Sequence, residues 1–273
     1  MKLTCVTAVF NAIKAGNRER LIRCVKSVAA LKTEHEHLIY DGASTDGSAE
    51  LLRELAAEIP GLKVVSERDT GLYNALNKGM RDARGEWFYV LGCDDYLQAP
   101  ENLDAILAEA PKADLIASPT WIDRGQGLLT GYWKRRRFFT GMPYSHQGTL
   151  MRTETMREFG GFDERYRVAG DYDLVIKFHI NGKRIVYAGK AYGVFTSGPD
   201  SLTASAGSEA NTARDAFINN FGLKGEAAEA YRLRLQLPWG FLFRMLVHRD
   251  GTIRLGALSM IVCKLLGRGR LVK

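Results

Sequence analysis

Strand-like and helix-like segments alternate through the first 120 residues, and this rhythm restricts the architecture more than any other property of the chain. Residues 3–10, "LTCVTAVF", are β-rich and mostly apolar, as a buried parallel strand should be. A helical pattern follows, with Leu21, Ile22, Val25, Val28 and Ala29 on one face. "HLIYD" (37–41) reads as a second strand. Ser48 opens a helix whose inward face is Leu51, Leu52, Leu55, Ala56 and Ile59, and Pro60-Gly61 stops it. "LKVVSE" (62–67) is a third strand, and Leu72, Ala75, Leu76, Met80 and Ala83 form the next helical face. "EWFYVLG" (86–92) and "ADLIASP" (113–119) complete the series. The alternation predicts right-handed βαβ crossovers and an α/β fold of Rossmann-like type, with a mostly parallel central sheet flanked by helices.

Past residue 120 the rhythm breaks. "GYWKRRRFF" (131–139) is aromatic and basic, and its Lys134 to Arg137 run is either a solvated face or an anion site. "SHQGTLMR" (145–152) reads as a turn and then a strand. "FDERYRVAGDYDLVIKFHING" (162–182) becomes helical in its later half, with Leu174, Val175 and Phe178 inward. The expected division is one domain over 1–231, in halves 1–120 and 121–231, followed by a basic amphipathic helical tail over 232–273.

The tail is where the charge lies. From Arg232 onward there are nine Lys/Arg and one acid, Asp250, while residues 1–231 hold 29 basic and 30 acidic residues and are near neutral. Its apolar runs, "PWGFLFRMLVHR" and "LGALSMIVCKLLGRGRLVK", fall short of the roughly 20 residues that a membrane span needs. Short apolar stretches punctuated by Arg and Lys, with Trp239 near the start, fit helices lying in a membrane interface against anionic lipid. The alternative is a helix pair packed on the sheet domain or across a homodimer. Nucleic acid is disfavoured as a partner, because aliphatic residues outnumber aromatics able to stack on bases. The four cysteines, Cys5, Cys24, Cys93 and Cys263, are scattered and form no CxxC pair, which fits reduced thiols in a cytoplasmic protein. "MKLTCVTAVFN" reads as a first strand rather than a secretory signal.

Ligands of doubly wound sheets bind beyond the carboxyl ends of the strands. Asp41, Glu67/Asp69 and Asp94/Asp95 all fall there. "YVLGCDDYL" (89–97) ends an apolar strand on two adjacent carboxylates whose repulsion a divalent cation, Mg²⁺ or Mn²⁺, would relieve. Mg²⁺ takes one or two protein carboxylates and completes its shell with water and phosphate oxygens, so the pair suggests a metal–diphosphate site. A solvated turn with one Asp capping the next helix is the alternative. "YDGASTDGS" (40–48) is a loop that a ligand can approach closely, with Asp41 able to accept hydrogen bonds from a base or ribose. It lacks the GxGxxG and GK[ST] phosphate motifs, and the "GRG" at 267–269 follows no strand. "AGDYDL" (169–174) sets Asp171 and Asp173 at a helix start. One carboxylate there is expected to cap, leaving the other free as a general base. His146 is either a metal or phosphate contact or a structural histidine.

Four blocks, "TAVFN", "YDGASTDGS", "SERDTGLYNALNKGMRDARGEWFYVLGCDDYL" and "SHQGTLMR…FGGFDERYRVAGDYDL", together resemble the family 2 glycosyltransferases of GT-A fold. The resemblance points to the bacterial branch that builds capsule, O-antigen and exopolysaccharide, and it covers roughly residues 3–180. It implies that Thr7, Ala8 and Phe10 line the nucleotide pocket and that Asp41 reads the base. Asp69 and Lys78 would lie beneath the nucleotide and donor sugar. Asp94 and Asp95 would hold the metal, with Asp95 the direct ligand, and Asp171 would be the catalytic base. Two positions depart from the family spelling: Cys93 stands where a D-x-D motif has its first aspartate, and Gly170 replaces the commoner Glu before the base. The implied activity is inverting, metal-dependent transfer from a nucleotide sugar, a UDP-sugar by expectation, to a glycan or polyprenyl-linked acceptor at the inner face of the cytoplasmic membrane. A catalytically inactive nucleotide-sugar-binding protein and a nucleotidyltransferase on a similar sheet are the alternatives.

Overall fold

The computed structural model describes residues 1–109, 112–197, 209–234 and 236–266. The "GRG" at 267–269 and the basic residues Arg268, Arg270 and Lys273 lie outside the described residues.

The alternating half forms as its periodicity predicts: β1 (Leu3–Val9), α1 (Arg18–Ala29), β2 (His35–Asp41), α2 (Ser48–Glu58), β3 (Leu62–Ser66), α3 (Leu72–Asp82), β4 (Trp87–Val90), a short β5 (Tyr96–Leu97), α4 (Pro100–Glu109) and β6 (Leu115–Ala117). β1 is buried on both faces. Leu3 and Cys5 meet Cys24 and Val28 of α1, while Val6 packs with Leu76 and Met80 of α3. This two-sided burial explains the unbroken apolar run that marks β1 in the sequence. On α1 the buried stripe is Leu21, Cys24, Val25 and Val28; Ala29, expected inward, is exposed because Cys24 takes that share of the face.

After β6 come β7 (Thr120–Asp123), β8 (Leu128–Gly131), β9 (Thr149–Arg152), α5 (Thr153–Glu158), α6 (Gly170–Ile180), β10 (Ile185–Tyr187) and β11 (Gly193–Thr196). The central sheet has order β10-β6-β9-β4-β1-β2-β3, and a second sheet has order β5-β11-β7-β8. The central sheet is mixed rather than uniformly parallel, because β9 runs antiparallel to both β4 and β6. The cause is topological. The chain leaves β6 at the carboxyl edge, builds the β7–β8 hairpin there, and returns from that same edge into the slot between β4 and β6. A strand entering from the carboxyl edge must run the opposite way. Both β9 and β10 belong to this one sheet, so the segment after residue 120 completes the core that the first segment begins.

Four helices follow: α7 (Glu209–Phe221), α8 (Gly225–Arg234), α9 (Trp239–Leu246) and α10 (Gly251–Leu265). The α8 helix runs across position 231, where the sequence suggested that the tail begins. Phe241, Leu242, Ile253, Ala257 and Ile261 of the last two helices share one core with Phe138, Phe139, Phe217 and Tyr231. Asp250, the tail's one acid, caps α10 by accepting from the N–H groups of Thr252 (2.8 Å) and Ile253 (3.0 Å), and its other oxygen meets Nδ1 of the buried His179 at 2.9 Å. The tail thus packs on the domain through one face of each helix. No helix of the described residues is long and apolar enough to cross a membrane.

Candidate active site

The carboxyl edges of β1, β2 and β4 meet the start of α6, and the acidic residues gather there. Asp41 ends β2 and is only 1% exposed. Its Oδ2 accepts from the Ser44 N–H at 3.0 Å and the Ser66 hydroxyl at 2.6 Å. Its Oδ1 is buried without a hydrogen-bond partner among the described residues. A carboxylate oxygen left in that state costs free energy until a donor arrives, which suits an incoming ligand N–H or O–H. Phe10, just past β1, stands 66% exposed, and Ala8 is half-buried. A Cβ on Gly42 would lie 2.7 Å from Asp69 Oδ2 and 3.2 Å from the Phe10 ring, so Asp69 and Phe10 border the same loop as Asp41. Lys78 pairs with Glu67 at 2.7 Å and donates to the Arg68 carbonyl at 2.9 Å, thereby holding the segment that carries Asp69.

Thr7 is placed differently from the expectation. It is fully buried, with its hydroxyl 2.9 Å from His37 Nε2 and facing Cys24 of α1. Successive strand residues point to opposite faces of a sheet, so Thr7 and Ala8 do not line one pocket with their side chains. The Thr7 side chain offers no surface to a ligand.

Beyond β4, Gly92 lets the chain fold two carboxylates back over itself. A Cβ there would sit 2.7 Å from Asp95 Oδ2 and 3.1 Å from Asp94 Oδ1, so these two oxygens converge on one point. Asp95 is 2% exposed; Oδ1 accepts the Thr196 N–H and Oδ2 the Gln147 side-chain amide, each at 2.8 Å. Both donors are neutral. Burial, reinforced by the charge of Asp94, pushes the Asp95 carboxyl up to about 6. Asp94 is half-buried and makes no side-chain hydrogen bond among the described residues, which leaves it the more open of the pair. Cys93 turns the other way and packs against the cluster of Val9, Ala12 and Leu21. Burial and the two neighbouring carboxylates push its thiol up to about 12, so without a bound cation it stays protonated at neutral pH.

These features fit a divalent cation. Two carboxylate oxygens converge, a buried charge has only neutral donors, and neither aspartate is paired with a lysine or arginine among the described residues. No group of three His, Cys, Asp or Glu among them could hold a metal ion by itself. Phosphate oxygens and water would therefore complete the shell, as is usual for Mg²⁺.

Asp171 opens α6 and is 27% exposed. Its Oδ1 accepts from the Tyr172 N–H at 2.9 Å and from the Tyr73 hydroxyl at 3.3 Å. Its Oδ2 faces His146 Nδ1 at 3.8 Å, and His146 also lies within electrostatic reach of Asp95. His146, in the short 3₁₀ turn His146–Gly148 that leads into β9, thus sits between the acidic pair and the α6 carboxylate. Asp173 is spoken for: it is buried, paired with Lys177 at 2.8 Å and bonded to Asn220 at 2.6 Å. Of the two acids, Asp171 is the one whose carboxylate is partly exposed and pairs with no lysine or arginine among the described residues.

Gly170 has a local cause. A Cβ there would fall 2.8 Å from the ring of Tyr73, which stacks on Phe162 with centroids 5.4 Å apart. The ring occupies the space that a larger residue before Asp171 would need. Burial and the charge of Asp171 push the Tyr73 phenol far up, so it remains a donor. Sequence periodicity missed three participants: Tyr73, Gln147 and Thr196. Gln147 and Thr196 lie 52 and 101 positions from Asp95, and no local pattern ties them to it.

The family model described as "Glycosyl transferase family 2" matches residues 4–169. The chain is 28% identical over 164 residues to the PGL/p-HBAD biosynthesis glycosyltransferase of Mycobacterium tuberculosis (strain ATCC 25177 / H37Ra), which covers 58% of this chain and 64% of that protein. It is 30% identical over 193 residues to the chondroitin synthase of Escherichia coli, covering 65% of this chain and 28% of that protein. The chain therefore spans less than two thirds of the length of these curated relatives. Among solved structures, S. aureus TarS 1–349 in complex with UDP-GlcNAc superposes with a TM-score of 0.66 at 17% identity, covering 98% of this chain and 93% of that one. The mannosyltransferase PcManGT from Pyrobaculum calidifontis, in complex with GDP-Man and Mn2+, gives a TM-score of 0.60 at 19% identity, covering 97% and 75%. At these identities the structural likeness establishes the fold.

Proposed function

The chain belongs to glycosyl transferase family 2, and from that membership we propose that it is an inverting, metal-dependent glycosyltransferase of GT-A fold. It moves a sugar from a nucleotide-sugar donor, UDP-linked by preference, to a glycan or polyprenyl-linked acceptor in cell-surface polysaccharide synthesis. It works as a peripheral protein at the inner face of the cytoplasmic membrane. One observation carries this reading: the unpartnered Asp41 oxygen, the converging Asp94/Asp95 pair and the accessible Asp171 oxygen are gathered at one edge of the fold.

Each residue has its part. Asp41 Oδ1 accepts a hydrogen bond from the base, and Phe10 offers its exposed face beside it. Asp94 and Asp95, with His146 next to them, would hold Mg²⁺ or Mn²⁺, and a bound cation stabilises the negative charge that develops on the diphosphate leaving group. Asp171 Oδ2 takes the proton of the acceptor hydroxyl, while Tyr73 and the Tyr172 N–H fix Oδ1 and so the plane of the carboxylate. The acceptor oxygen bonds to the anomeric carbon as the bond to the diphosphate breaks, and the electron pair leaves with the diphosphate. A single displacement inverts the anomeric centre, so an α-linked donor gives a β-linked product.

The reading is tested with a panel of nucleotide sugars that includes UDP- and GDP-linked donors, followed by thermal melting with and without Mg²⁺ or Mn²⁺. A UDP-sugar is expected to raise the melting temperature through mass action, more so with cation present. Asp41→Asn replaces one oxygen by an NH₂ group that cannot accept, and is expected to weaken donor binding about tenfold. No stabilisation by any donor would remove the nucleotide-sugar assignment.

Tyr73 gives a separate prediction. Tyr73→Phe keeps the ring against Phe162 and Gly170 but removes the hydroxyl. The loss of a hydrogen bond to a charged group corresponds to about tenfold or more. The expected result in steady-state kinetics is a fall of that size in kcat with donor KM unchanged; an unchanged kcat would reduce Tyr73 to packing alone.

A further inference from the structure

The membrane reading above places the lipid at the tail but leaves open which faces and which cations meet it, and this inference rests on that reading. On α9, Trp239 and Phe243 are exposed at four-residue spacing, and Val247, just past the end of the helix, continues their stripe at 83%. On α10, Leu258, Val262 and Leu265 form a second stripe, Leu265 at 71%. The opposite faces of both helices are buried in the core around Phe138 and Phe139, so each helix is apolar on two sides. Lys264 joins the end of α10 to the start of α9: its Nζ lies 4.8 Å from the centroid of the Trp239 ring and donates to the Leu237 carbonyl at 2.9 Å.

Beside the Trp239 stripe opens a groove of about 540 Å³. Its apolar lining includes Leu223, Ala227, Pro238 and Phe241, and it is edged by Lys224 and Arg244. Neither cation forms an ion pair among the described residues, and Glu226 and Glu229 of α8 are not part of the lining. Asp250 is turned inward to cap α10 and meet His179. The surface therefore presents aliphatic and aromatic side chains with unneutralised cations next to them.

We infer that the α9–α10 hairpin is the lipid-docking surface of this protein, with Trp239, Phe243, Val247, Leu258 and Val262 entering the interface of an anionic bilayer and Lys224 and Arg244 gripping a phospholipid phosphate in the groove. Charge complementarity selects this occupant. A second copy of the chain would bring the same cations against themselves, whereas anionic lipid supplies both the apolar phase and the counter-charge.

The test uses the full chain and sedimentation with vesicles of equimolar phosphatidylglycerol and phosphatidylcholine, compared with phosphatidylcholine alone. Wild type is expected to bind the anionic vesicles, and the double variant Lys224→Ala, Arg244→Ala to lose about 30-fold in partitioning. Brominated acyl chains should quench tryptophan fluorescence in wild type and much less in Trp239→Phe, a readout independent of the charge variant's folding. If wild type binds but the double variant binds equally and Trp239 is not quenched, the surface assignment fails while the membrane reading stands. If wild type ignores anionic vesicles, both fall together. A concentration-dependent dimer abolished by Phe243→Glu, without vesicle binding, would reassign the face to a second copy.

Discussion

Asp171→Asn is expected to slow sugar transfer by about 10³-fold while leaving donor binding intact, because the substitution removes a general base and little else. The amide oxygen can still accept from the Tyr73 hydroxyl and the Tyr172 N–H, so the start of α6 keeps its local bonds. What disappears is the second oxygen, which faces His146 at 3.8 Å and is the one proposed to take the acceptor's proton. Single-turnover transfer measured beside donor-induced thermal stabilisation separates the two effects. Transfer that survives undiminished would exclude Asp171 as the base. Donor binding by a wild type that never transfers or hydrolyses the sugar would instead favour an inert binding protein. Asp173→Asn serves as the contrasting variant: its carboxylate is committed to Lys177 and Asn220, so its loss is expected to lower stability rather than to abolish chemistry.

The second large effect concerns the paired aspartates. Asp94→Asn is expected to abolish the extra thermal stabilisation that Mg²⁺ or Mn²⁺ gives the nucleotide-bound protein, and to lower transfer by about 10²- to 10³-fold. Asp95→Asn should do the same, but it also touches the bonds to Thr196 and Gln147 and so carries a structural cost. Asp94 is therefore the cleaner probe. Comparing the melting temperature with nucleotide alone, with nucleotide plus cation, and with nucleotide plus cation and EDTA gives the readout. A cation-dependent increment that persists in Asp94→Asn and in Asp95→Asn would place the metal elsewhere. Restoring aspartate at the family's other position, Cys93→Asp, is not expected to add a ligand, since that side chain points into the cluster around Val9 and Ala12.

Much of this is legible in the sequence, and the reason is physical. Segments buried on both faces leave continuous apolar runs, and helices buried on one face leave a 3.6-residue stripe, so β1 to β4 and α1 to α3 could be read along the chain. The acids at their carboxyl ends followed directly. The direction of β9 could not be read, because a strand's sequence does not encode which neighbour it enters between. The clue lay in the missing helix between β6 and β9. Nor could the second sheet be seen, whose strands are two to four residues long. The placing of Thr7 was recoverable: strand alternation alone separates it from Ala8. Tyr73 was harder. Its ring lies on the buried face of α3, where aromatic residues are ordinary core, and its role depends on Gly170 almost a hundred positions away.

Asp95 is clasped by the Thr196 amide of β11 and by Gln147, in the short turn that leads into β9. Residues this late in the chain emerge from the ribosome well after the first four strands have been made. The nucleotide-facing half can therefore begin to fold while its acidic pair is still unclamped and mutually repelling, and β9 and β11 join only by long-range closure. In time, the centre of the site is among the last parts of the molecule to exist. A chain cut short during synthesis would carry every carboxylate up to Asp95 and lack the strands that clamp that pair and the helix that bears Asp171. On the proposed reading, it would have the parts of a donor site without the base for transfer.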